Sequence, residues 1–250
     1  MKKTAKKLLQ GFGFEVQRTN LYSRDDLRLQ KFMEIHEIET VLDIGANKGQ
    51  FALELLGSGF KGRVVSFEAL PGVYEELQKN SEIFGGRWTV APRCALGDEK
   101  GSIKFHVTHN LASSSMLAPS ELLASADELF TAKETIEVAC DRLDDMIGPL
   151  GIPLDGLFLK LDVQGGEKKV LAGASDLLSK VQGVFLEMSL RALYEGQPLA
   201  RELDALLIDT GFELWDILPV YRDPQTGRLD QYDAIYFRSG QAGSTEQEAN

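Results

Sequence analysis

Residues Thr40 to Phe51 read TVLDIGANKGQF: an apolar run short enough for a buried strand, an acid, a glycine-punctuated turn, then a helical pattern. A strand, a turn and a helix in that order constrain the chain to an α/β sheet. In open sheets of this kind the turn at the carboxyl end of a strand borders the ligand crevice. Gly45 and Gly49 let the backbone approach a ligand closely, and the helix opening near Lys48 favours negative charge at its start. A tight turn with no ligand would use the same residues, so this segment alone leaves both readings open.

The next strand narrows the choice. Arg63-Val64-Val65-Ser66-Phe67-Glu68 is again β-rich and ends in a carboxylate, ahead of a helical pattern from Pro71 to Asn80. Neighbouring parallel strands with acids at their tips suit a nucleoside, Glu68 accepting from both ribose hydroxyls. A nicotinamide enzyme offers the same arrangement, but its fingerprint is G-x-G-x-x-G, whereas the spacing here is G-x-x-x-G behind Asp43. A phosphate loop would need G-K-[ST], which the chain lacks. The acid-then-glycine turn suits a ligand with an ammonium group and no pyrophosphate. S-adenosylmethionine is such a ligand, with Asp43, Gly45, Asn47, Gly49 and Glu68 as candidate contacts.

Further along, Trp88 to Pro92 begins a third strand that runs on through Cys94 to Leu96. Ala95, Leu96 and Asp98 at its tip would lie over the adenine; Gly97-Asp98 as a plain turn is the alternative. Strands at Ser102–Val107 and Thr135–Ala139 flank a long connection containing Ser113-Ser114-Ser115. The inserted β-rich and loop segment, about residues 101–140, is expected to help form the acceptor pocket, since long connections in compact domains are usually functional; the serine run as a simple flexible tip is the alternative. A fourth strand, Gly156–Leu161, terminates at Asp162, and the turn Val163 to Glu167 opens a helix from Lys168. A fifth, Val181–Met188, carries Glu187. Asp43, Glu68, Asp162 and Glu187 are thus expected along one sheet edge. Phe212–Val220 and Gln231–Arg238 form a closing hairpin, with an antiparallel strand at the end of an otherwise parallel sheet.

With 250 residues and 43% hydrophobic content the chain reads as one large domain: residues 40–238, preceded by a basic end and covering helix in 1–39 and followed by a disordered tail in 239–250. His36 in the covering helix is expected at the surface. A net charge of −11 argues against general nucleic-acid binding. No apolar run reaches the length of a membrane span, and Cys94 and Cys140 read as reduced core thiols of a cytoplasmic protein. Lys2, Lys3, Lys6 and Lys7 precede no apolar signal core. They suit peripheral contact with an anionic membrane or a solvated end. A homodimer is left open.

Five motifs in order now carry a resemblance: VLDIGANKGQF, VVSFEALPGVYEEL, ALGDEKGSIKF, LKLDVQGGEKKVLAGA and FLEMSLRALYEG, with a closing DQYDAIYF. From about Thr40 to Arg238 the chain resembles the FkbM-type methyltransferases, a branch of the class I S-adenosylmethionine-dependent enzymes. It departs from the family's F-E-P in having Ala69 after Glu68, with Pro71 two residues on. The resemblance implies a Rossmann-like, doubly wound sheet of seven strands with the last antiparallel, and O-methylation of a hydroxyl on a small molecule, sugar, glycan or polyketide. It further implies that Asp43, Gly45 and Gly49 cradle the methionine part of the cofactor, that Glu68 holds the ribose, and that Asp162, Glu167 and Glu187 line the reacting side.

Methyl transfer to a neutral alcohol needs position above all, and gains from a base that removes the proton. Asp162 is the first candidate and His109, or His106, the second. A third arrangement has Asp162 and Glu187 binding Mg²⁺ to lower the alcohol's pKa. Tyr194, Trp215 and Tyr221 could stack on a sugar or pack in the core. A non-catalytic Rossmann-like binding module and a nicotinamide-linked oxidoreductase are the alternatives from other classes.

Overall fold

The structure, a computed structural model, describes residues 11–12, 14, 19–223 and 225–240. The basic stretch before residue 11 and the tail beyond residue 240, where membrane contact and disorder were expected, lie outside these residues. Strands β1 (Thr40–Ile44), β2 (Arg63–Phe67) and β3 (Trp88–Val90) come first, followed by β4 (Ala95–Leu96), β5 (Gly101–Thr108) and β6 (Ala132–Asp141). Strands β7 (Leu157–Leu161), β8 (Val181–Ser189), β9 (Phe212–Arg222) and β10 (Leu229–Arg238) complete the set. The main sheet has seven strands in the order β3-β2-β1-β7-β8-β10-β9. The order reverses between β1 and β7, which fixes where a ligand crevice opens.

Period-two alternation divides the apolar residues of each central strand between two cores. Leu42 and Ile44, Val65 and Phe67, and Leu157, Leu159 and Leu161 point to one; Val41, Val64 and Phe158 point to the other. Helices α1 (Asp25–Ile35) and α2 (Gln50–Gly57) cover the second face with Leu29, Met33, Ala52 and Leu55. The first face is closed by α5 (Leu143–Ile147), α6 (Glu167–Ala172) and α7 (Ala200–Asp209), through Leu143, Val170 and Leu203 among others. On the way the chain also forms α3 (Pro71–Ser81) and, within the insertion, α4 (Glu121–Ala126).

Two expectations change, the course of the third strand and the place of His36, while the last strand is antiparallel as expected. The third strand does not run on to Leu96. It ends at Val90, and Pro92, which has no amide to donate, precedes a crossing into a separate sheet of order β4-β6-β5. The antiparallel strand β10 is last in the chain but lies between β8 and β9 in space, pairing with both. His36 is not at the surface: it is 7% exposed, stacked on Phe237 at 3.9 Å and edge-on to Trp215 at 4.5 Å. Helical geometry explains this, because Phe32, Met33 and His36 share one stripe of α1 and its cap.

Neither ring nitrogen of His36 has a hydrogen-bond partner. Burial lowers its pKa, against the pull of Glu213. The folded state therefore favours the neutral ring, and stability held above an unfolded-state value of about 6.5 is lost as pH falls below it. Thermal melts should show the wild type losing more stability than His36→Phe between pH 7.5 and 5.5; equal losses would exclude a role for this ring.

Candidate active site

At the reversal of strand order a narrow cleft opens, walled by the turns that follow β1, β2 and β7 and by β4. Gly45 begins the first turn at φ +75°, and a Cβ there would collide with the Asp162 carbonyl oxygen. Glycine is what lets the β1 and β7 turns touch. Asn47 follows at φ +50°, a left-handed conformation that asparagine tolerates better than most residues. Its backbone N–H donates to Glu68 Oε2 at 2.9 Å. Glu68 Oε1 accepts from the N–H groups of Ala69 and Leu70, each at 2.8 Å.

Glu68 is thus buried and fixed by three amides, and burial raises its pKa against their pull. A carboxylate has about four acceptor positions, so about one remains for a ligand hydroxyl. Leu70, Val73, Ala95, Leu96 and Phe105 supply an apolar slot beside it. A carboxylate acceptor next to a flat apolar slot, with no phosphate loop, fits an adenine nucleoside.

Asp43 does not line this cleft. It is the fourth residue of β1, one short of the strand's end, and its side chain is fully buried on the face beneath α2. There it meets its register neighbours on both sides: Ser66 donates to Oδ2 at 3.1 Å, and Lys160 Nζ lies 3.1 Å from Oδ1. Trp88 Nε1 donates to Ser66 Oγ at 2.9 Å and extends the row. Burial pulls the Lys160 pKa down, but Asp43 and then Asp162 overcome it and hold the ammonium above the ordinary lysine value. Gly49 is likewise outside the lining; at φ +88° it starts α2, and a side chain there would strike Trp88. Asp98 is exposed and pairs with Lys169 at 3.7 Å. Gly45, Asn47, Glu68, Ala95, Leu96 and Asp162 do come together around the cleft.

On the far wall Asp162 is half-exposed, its side chain 42% accessible, with Lys160 Nζ at 3.7 Å. Gln164 Nε2 donates to Asp162 Oδ1 at 2.7 Å and reaches Glu187 Oε2 at 3.4 Å. Glu187 lies behind Asp162, within β8 rather than at its tip, and accepts from Gln231 Nε2 at 2.7 Å. Glu167 turns back to accept from the N–H groups of Val163 and Gly165 at 3.2 Å each, so it staples the β7 turn. Burial pushes Glu167 and Asp233 up to about 7, with Asp162 adding to each, and carries Glu187 well above its ordinary value for the same reasons. Such a concentration of raised acids beside a cleft makes this wall a candidate functional site.

His109 is exposed and outside the lining, and His106 Nδ1 lies 3.3 Å from Thr135 Oγ1. Asp162 and Glu187 share an amide, and no group of three His, Cys, Asp or Glu side chains among the described residues is placed to hold a cation. Tyr194 is buried, its hydroxyl 2.8 Å from Gln164 Oε1, so it offers no face to a sugar, and Trp215 packs edge-on to Phe32 and Phe237 outside the cleft lining. Leu111, Ala112, Ser114 and Met116 of the insertion roof the cleft. Lys160, Ser66 and Gln164 escaped the reading of motifs. A lone lysine in the apolar run LFLKL is a legible sign of a buried ion pair; Gln164 carried no such sign.

This topology is Rossmann-like, with the cleft at the reversal of strand order. Comparison with known proteins gives the class, an S-adenosylmethionine-dependent methyltransferase. The model of the methyltransferase FkbM domain matches residues 43–214, and the chain belongs to that family. It is 28% identical over 219 residues to methyltransferase sdnD of Sordaria araneosa, covering 79% of this chain and 80% of that one. It is 31% identical over 174 residues to the 2-O-methyltransferase NoeI of Sinorhizobium fredii, covering 66% and 70%. With the 31-O-demethyl-FK506 methyltransferase FkbM of Streptomyces tacrolimicus it shares 31% identity over 175 residues, 61% of this chain and 65% of that one. Among the described residues no helix is long and apolar enough to cross a membrane.

Because Glu167 and Asp233 titrate above their unfolded values, their contribution to stability is complete near pH 4 and is lost as pH rises through about 7. Asp233→Asn should shrink the fall in melting temperature between pH 5.5 and 8. An undiminished fall would show that Asp233 is not under this strain.

Proposed function

We propose that the protein methylates a hydroxyl oxygen of a small-molecule or glycan acceptor, with Asp162 taking the proton. The observation that carries this reading is the position of Asp162: of the clustered acids on the far wall it is the one that lines the cleft, opposite Glu68. The names of NoeI and of the Streptomyces relative, both tied to oxygen positions, support an oxygen acceptor.

S-adenosylmethionine would supply a methyl group already activated on a sulfonium. Glu68 would hold the ribose through its remaining acceptor position, Asn47 and Gly45 would border the methionine part, and Leu70, Ala95 and Leu96 would flank the adenine. Asp162 would draw the proton from the acceptor hydroxyl as the oxygen attacks, a contribution of about 10²–10⁴-fold. The buried acids behind it disfavour an anionic group at the reacting end. The insertion roofs the cleft and would limit water.

Calorimetry with S-adenosylmethionine should show micromolar-range binding that Glu68→Ala abolishes; unchanged binding would refute the ribose assignment. Tritiated-methyl transfer should be run on a panel of neutral oligosaccharides, hexuronic acids and hydroxylated macrolides. Label should reach an oxygen, and Asp162→Asn should cut turnover by about 10²-fold or more while S-adenosylmethionine still binds. Full turnover in Asp162→Asn would remove it as the base.

A further inference from the structure

We infer that Gln164 is the positioning residue for Asp162, and that it aims this carboxylate only while the inserted segment is seated over the cleft. The inference rests on the proton-accepting role proposed for Asp162. Gln164 sits at φ +54°, a left-handed conformation that an ordinary side chain occupies only when its surroundings enforce it. Its contacts show what does the enforcing. Nε2 donates to Asp162 Oδ1 at 2.7 Å and extends to Glu187 Oε2 at 3.4 Å, while Oε1 accepts from the Tyr194 hydroxyl at 2.8 Å. The backbone carbonyl accepts from Ser115 Oγ at 2.8 Å.

The partners fall into two sets. Asp162 and Glu187 belong to the sheet edge. Ser115 belongs to the insertion, where it exchanges backbone bonds with His106 at 2.7 and 3.1 Å. Tyr194 joins the two sets, since its hydroxyl also lies 2.9 Å from the Ser113 carbonyl and its ring packs with Leu123 of the insertion. A phenol has one proton, so Ser113 and Gln164 share it. Seating of the insertion and alignment of Asp162 are therefore mechanically one event.

The chemistry selects an amide at this position. Only an amide presents two donors toward a pair of carboxylates and an acceptor toward a phenol. The reverse orientation would turn Oε1 toward Asp162 Oδ1 at 2.7 Å, oxygen against oxygen, which fixes the amide as described. A carboxylate at residue 164 would add a like charge between Asp162 and Glu187, and an apolar side chain would bridge nothing.

The test uses the full chain labelled with ¹⁵N. The Gln164 side-chain NH₂ pair, identified by its loss in Gln164→Met, should resonate away from free glutamine and exchange slowly with solvent. Tyr194→Phe and Ser115→Ala should each move it toward the free position. Methionine is unbranched and meets the same left-handed backbone cost, so Gln164→Met removes the amide alone. On an acceptor from the panel, losing a hydrogen bond to a charged group should lower kcat by about 10- to 100-fold in Gln164→Met. Tyr194→Phe should lower kcat less, with its KM for S-adenosylmethionine unmoved. A wild-type NH₂ pair at the free-glutamine position, or wild-type kcat in Gln164→Met, would overturn the inference. Should Gln164→Met fail to fold, the NH₂ pair is assigned instead by through-bond correlation to the Gln164 backbone, and an unmoved resonance in Tyr194→Phe overturns the inference. A held NH₂ pair together with full turnover in Asp162→Asn would instead leave Gln164's grip intact and remove the base beneath it.

Discussion

A lysine and an aspartate share the middle of the sheet, and the crevice is built on top of them. Asp43 and Lys160 face each other across the two strands where the order reverses, 3.1 Å apart and both buried. Neither charge is tolerable there alone: removing one partner of a buried pair costs about 3–5 kcal/mol, because the other is stranded. The pair also decides what its neighbours do. Lys160 reaches up to the Gly45 carbonyl at 3.4 Å and toward Asp162 at 3.7 Å, so one ammonium ties the β1 turn to the β7 turn. Glycine at residue 45 completes this by letting the two turns meet without a side chain between them.

From that base the acids of the site divide into separate tasks. Asp43 supports the turn from below, Glu68 is pinned by three amides with one acceptor position to spare, and Glu167 closes the β7 turn on itself. Glu187 is held from behind by Gln231. Asp162 is left as the carboxylate free to meet a ligand, since its contacts leave 42% of its side chain accessible. Similar residues at similar strand ends thus acquire different chemistry through the donors each one meets.

Much of this fold can be read from the chain because it follows from short-range patterns. The strands β1, β2, β7 and β8 announce themselves as apolar runs, since a parallel sheet buried on both faces tolerates few polar side chains. The glycine turns after them are equally local. What escapes is set by parity and by distant partners. Asp43 looks like a strand-tip ligand until its place one residue before the end is counted; alternation then sends it to the face that carries Val41 and lies under α2. His36 looks exposed until helical spacing puts it beside Phe32 and Met33. Pro92 was visible, but where the chain went after it depended on β6, some forty residues on. The grip of Gln231 on Glu187 spans 44 residues and has no local sign.

The placement of charge also bears on what the site can accept. Asp162, Glu187 and Asp233 gather around one ammonium already paired with Asp43, and Glu167 lies close enough to Asp162 to feel its charge. Ionising all of them together is costly, and burial accordingly holds Glu167, Glu187 and Asp233 toward their neutral forms. Each proton they release adds a like charge behind the reacting end of the cleft. An acceptor bearing a carboxylate or phosphate next to the reacting oxygen would meet that repulsion directly, whereas a neutral hydroxyl flanked by other hydroxyls would not. In their ionised forms the same acids would favour a cationic sulfonium, so on the function proposed above one arrangement of acids would favour the cofactor and disfavour an anionic acceptor.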